Sequence, residues 1–146
     1  MERLTGIGKV AATVGGTAWT VKSLAIIAMN GHFQPIEGVL YFLGVGGILV
    51  GAFGLSAFIA QRISGATRWL IFVATLVVAV IVTSLASSFI QEAVADSYTG
   101  DNVGIEEEIG ILTPGVIWLA IGLFLLFSTR GEPQEPISKE DGRVPL

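Results

Sequence analysis

Four apolar stretches, each close to twenty residues long, dominate the chain: Val10 to Met29, Gly38 to Ala60, Trp69 to Ile90 and about Gly110 to Phe127. About 20 such residues are needed for a helix to cross the ~30 Å hydrocarbon core of a bilayer. Lipid offers no partner for a backbone N–H or C=O, so each stretch must satisfy its own polar groups as a helix. The stretches take up most of the 146 residues, and what remains is too short for a separate soluble domain. The expected fold is therefore all-α, an integral membrane four-helix bundle with helices over about 10–29, 38–60, 69–90 and 105–128. Residues 1–130 form the transmembrane domain in this reading.

Composition agrees. Hydrophobic residues make up 52% and charged residues 14%, against the roughly 25% charged of a soluble domain. Arg3 and Lys9 precede the first stretch, as in a secretory leader, but the stretch is longer than a leader core and ends in Ala-Met-Asn-Gly without a small-x-small cleavage site. It is expected to remain as the first helix. Glu2 stands where myristoylation requires glycine, and no prenylation box is present.

The absence of cysteine removes thiolate catalysis, disulfide exchange, iron–sulfur ligation and thiol-based zinc sites. His32 is the single histidine, which excludes a two-histidine haem or a multi-histidine metal site within one chain. A Ser-His-Asp arrangement would need that same residue, and no motif surrounds it. The net charge of −4 gives no basis for nucleic-acid binding. Neither an enzyme nor a cofactor is indicated.

Basic residues are one-sided. Apart from Lys22, they lie before the first helix (Arg3, Lys9), between the second and third (Arg62, Arg68) and after the fourth (Arg130, Lys139, Arg143). The positive-inside rule puts both termini and the middle loop in the cytoplasm of a cell with this protein in its cytoplasmic membrane. Loops 30–37 and 91–109 then face outward, carrying Glu37, Glu92, Asp96, Asp101, Glu106, Glu107 and Glu108 without a compensating base. The run from Asp96 to Glu108 has oxygens enough for a hard cation, but Tyr98 and Gly100 occupy positions that a calcium loop needs for ligands. Solvated acidity is the expectation there, and plain exposure for His32. The tail over 131–146, with Pro133, Pro136 and Pro145 among charges, is expected to be disordered and cytoplasmic.

Small residues mark the packing faces. Gly15 and Gly16 with Ala11, Ala12 and Ala18 let a neighbour approach the first helix, and the second is richer still, with the GxxxG pair Gly47 and Gly51. That makes the second helix the expected centre of packing, within the chain or at a seam between copies. The third carries Thr75, Thr83, Ser84, Ser87 and Ser88, expected to bond back to carbonyls one turn earlier or to line a polar passage. The fourth starts either at Pro114 or near Asn102 with Pro114 as a kink. From Pro114 to Phe127 it would rise only about 21 Å, so the longer form is preferred.

Lys22 is the one charge inside an apolar stretch. An ammonium at the middle of a bilayer helix costs ~2.5 to 3.5 kcal/mol on insertion scales, so it needs a partner or a route to water. Seven residues separate it from Met29, about 10 Å, within reach of an acid at the outer end of a neighbouring helix. Glu37 and Glu92 are the candidates, with water or another chain as alternatives. The expected function is that of a non-enzymatic accessory or scaffold subunit, meeting the lipid bilayer and a second copy or another membrane protein through helix contacts. The alternative is a small channel or transporter for an anion or polar solute, with Lys22 in an outward-facing cavity lined by the hydroxyls of the third helix and the glycines of the second.

Overall fold

The computed structural model describes residues 1–29, 36–95 and 105–128. They form four α-helices: α1 (Glu2–Ala28), α2 (Glu37–Ala60), α3 (Thr67–Ala95) and α4 (Ile105–Ser128). All four are long and apolar enough to cross a membrane. The acidic run 96–104, His32 and the tail over 131–146 lie outside the described residues.

α1 begins eight residues before the apolar stretch that announced it. The cause is tertiary: Met1 and Leu4 pack on Ala57, Ala60 and Phe72, and Gly8 meets Gly54, so contacts continue along the first two turns. α4 takes the longer of its two forms, with Pro114 inside the helix. Pro114 has no N–H, which leaves the carbonyl of Gly110 without its helical donor. The Ser87 hydroxyl supplies one, donating to Gly110 O at 2.6 Å. One turn along α3, the Trp118 indole N–H donates to Thr83 Oγ1 at 3.2 Å, and Thr83 donates to Ala79 O at 2.7 Å. The α3 hydroxyls thus divide between back-bonding and cross-helix links.

Successive helices run antiparallel. α1 lies against α2 and α4, α3 closes the other side against both, and the backbones of α1 and α3 do not come together. The centre of packing is therefore α1, rather than α2 as the glycine count suggested. The reason is that α1 has small residues on two faces. Gly8, Ala12 and Gly15 meet Gly54, Gly51 and Gly47 of α2, while Gly16, Thr20 and Thr13 meet Leu119, Gly115 and Gly122 of α4. A Cβ on Gly15 would stand 2.7 Å from the Gly47 Cα, so the two backbones are in contact and only hydrogen fits between them. Trp118, 1% exposed, fills the middle with Ala12 and Ala52.

α3 is attached differently. Phe72 is its single buried residue, and Val73, Val77, Val78, Ile81, Val82, Leu85 and Phe89 face outward.

Candidate functional site

At the end of the bundle where α1 finishes and α2 and α4 begin, Lys22 meets two carboxylates. Its ammonium donates to Glu108 Oε1 at 2.7 Å and to Oε2 at 2.9 Å, and stands 3.6 Å from Glu37 Oε1. The Ser23 hydroxyl donates to Glu108 Oε2 at 3.1 Å. Each carboxylate sits in the first turn of its helix, where unpaired N–H groups and the helix dipole favour negative charge.

The two acids have different surroundings. Lys22 is 2% exposed and Glu108 8%, so this pair is sealed within the bundle. The Glu37 side chain is 44% exposed and forms the wet edge of the cluster. The ammonium thus makes two hydrogen bonds to Glu108 and a longer ion pair to Glu37, so two carboxylates face its single charge. A buried pair of this kind is costly to assemble, because both charges leave water, and costly to break, because the survivor is then unpaired.

Of the sequence candidates, the structure brings Glu37 to Lys22 and leaves Glu92 exposed on α3, without an ion pair to Lys22. α1 and α3 stand diagonally across the bundle, which places an acid at the end of α3 beyond the reach of Lys22. Glu108, the principal partner, was missed. Spacing does not select it: Glu108, Gly115 and Gly122 fall seven residues apart, as do Glu37, Gly44 and Gly51, and Gly8, Gly15 and Lys22, but Gly8 and Gly15 face α2 and so point Lys22 to Glu37. A seven-residue repeat keeps one face of a helix on its neighbour, so each charge continues the stripe of glycines by which its helix packs.

Gly15, Gly47 and Gly51 all serve the crossing of α1 with α2 inside one chain. Below the ion pair the indole of Trp19 extends this crossing, donating to Tyr41 O at 3.0 Å and stacking on the Tyr41 ring at 5.9 Å. The α3 hydroxyls lie elsewhere. Thr83, Ser84, Ser87 and Ser88 line a cleft of about 380 Å³ with Trp19 and Trp118, and Lys22 does not line it. Lys22, the α2 glycines and the α3 hydroxyls therefore occupy three separate places. Among the described residues, no group of three metal-ligating side chains occurs. No protein-family model, curated protein or solved structure matches the chain.

Proposed function

We propose that the protein is a multi-pass protein of a cell membrane, both termini cytoplasmic, acting as a non-enzymatic accessory or scaffold subunit through contacts between helices. The observation that carries this reading is α3: a 29-residue apolar helix of which Phe72 alone is fully buried and which turns a broad face from Val73 to Phe89 outward. α1, α2 and α4 form a tight unit around glycine crossings, and α3 is the element offered to lipid and to another protein. Charge supports the orientation, because Arg3, Lys9, Arg62 and Arg68 gather at one end of the bundle while Glu37, Glu92, Glu107 and Glu108 belong to the other.

The channel reading is the weaker of the two because its three elements do not meet. An anion would find the Lys22 ammonium already bound by Glu108 and flanked by Glu37.

Purification in a mild detergent tests the proposal. A stoichiometric partner or a defined self-association is expected, weakened by Val77→Trp or Leu85→Trp on the outer face of α3. A chain that stays alone, or liposomes showing selective anion flux that Lys22→Met abolishes, would overturn it. Reporter fusions to the tail read the orientation separately.

A further inference from the structure

The end of the bundle opposite Lys22 holds a polar cavity of about 980 Å³, bounded by the first turns of α1, the α2–α3 loop and the last residue of α4. Arg3, Lys9, Arg62 and Arg68 line it, with Glu2 as the one acid among the described residues. Among the described residues, Arg3, Arg62 and Arg68 form no ion pair. Two of these guanidiniums are nonetheless held in place. Arg62 lies over the Phe58 ring, its Cζ 4.8 Å from the centroid, and Arg68 donates from Nε to Ile63 O at 2.9 Å. Fixing Arg68 by Nε leaves its terminal nitrogens to a ligand, and a planar fork of this type suits two oxygens of a phosphate group. Arginines without an ion pair among the described residues, two of them preorganised, around a cavity of this size call for an anion.

We propose that this cavity binds a phosphate group, that of an anionic phospholipid from the cytoplasmic leaflet. The Trp69 indole, exposed beside Arg68 at the start of α3, stands where a ring lies at headgroup depth, and an apolar groove lined by Ile7, Val10 and Val14 of α1 also includes Arg3 and leads away along the bundle. A headgroup in the cavity with an acyl chain along that groove uses both. A basic pocket between helix ends on the cytoplasmic side is a physical match for such a lipid. The inference rests on the orientation proposed above.

The test uses the full chain in nanodiscs of phosphatidylcholine alone or with phosphatidylglycerol, followed by native mass spectrometry and thermal unfolding. Phosphatidylglycerol is expected to be retained in preference and to raise the unfolding midpoint. The triple variant Arg3→Gln/Arg62→Gln/Arg68→Gln is expected to bind it roughly a hundredfold more weakly, from about fivefold per cationic side chain near an anionic surface. Arg3→Lys/Arg62→Lys/Arg68→Lys keeps the charge and serves should the first variant fail to fold; it is expected to retain part of the preference. Inorganic phosphate added to phosphatidylcholine nanodiscs separates the sources: no shift assigns the lipid, and an equal shift overturns the lipid in favour of a free phosphate. Equal retention of both lipids, or a preference unchanged in the glutamine variant, overturns the site. Tail fusions reporting an outward tail would instead overturn the orientation, so the two failures are distinguishable.

Discussion

Lys22 and Glu108 are 86 residues apart in sequence and 2.7 Å apart in the structure, joined by two hydrogen bonds across the α1–α4 contact. Below them the same two helices meet through Thr20 against Gly115, Gly16 against Leu119 and Thr13 against Gly122. The pair closes one end of this packing seam.

Removing either partner leaves a buried charge. Lys22→Met and Glu108→Leu are each expected to destabilise the protein by about 3–5 kcal/mol, whereas the double variant returns to within about 2 kcal/mol of the parent, because both charges have gone. Glu37→Gln, at the exposed edge, should cost less than ~1 kcal/mol. Reversible unfolding in mixed micelles measures all four; a double variant as unstable as the sum of the singles would show that the two residues act independently.

Gly47→Ala and Gly46→Ala differ by one position and should differ in sign. A Cβ at Gly47 meets Ala11 O at 2.6 Å and Gly15 N at 2.8 Å, while one at Gly46 meets nothing within 4 Å. Gly47→Ala is expected to lose about 1–3 kcal/mol through forced separation of α1 and α2. Gly46→Ala is expected to be neutral or to gain up to ~1 kcal/mol from helix propensity. The same unfolding assay decides, and a neutral Gly47→Ala would mean that the crossing is looser than the geometry gives.

Ser87 is tied to Pro114 by the carbonyl of Gly110. Ser87→Ala removes the donor that replaces the missing proline N–H, at an expected cost of about 0.6–2 kcal/mol. Pro114→Ala restores a backbone N–H, so Ser87→Ala should cost less in that background. A cycle over the two positions measures the coupling, and a coupling of zero would dissociate the hydroxyl from the proline.

The loop between α2 and α3 turns at Gly65, whose φ of +76° lies in the left-handed region. Gly65→Ala is expected to cost about 1 kcal/mol and Gly65→Asn less, since asparagine tolerates this conformation better. Nothing lies within 4 Å of a Cβ there, so the backbone alone would cause the loss. Equal stability of the alanine variant and the parent in thermal unfolding would exclude strain at this turn.

Much of the helical content was legible in the chain. Apolar length is a local property, and four stretches yield four helices whatever their arrangement. The start of α1 was not legible, because Leu4 and Met1 gain their helical turns from Ala57, Ala60 and Phe72 of other elements. Glu37 was legible as a partner of Lys22, since an acid opening the next helix lies close by in any antiparallel pair.

By itself, the sequence determines the number of the helices and their apolar cores, the separation of basic from acidic ends, and the seven-residue stripes on which Lys22, Glu37 and Glu108 fall. Tertiary structure alone decided which acid neutralises Lys22. Several glutamates belong to the same end of the molecule, and proximity along the bundle does not choose among them. The choice comes from helix phase, which turns each successive side chain by about 100°, and from the backbone contact that glycines permit. Those two together seal Glu108 against Lys22, keep Glu37 at the wet edge and leave Glu92 across the diagonal.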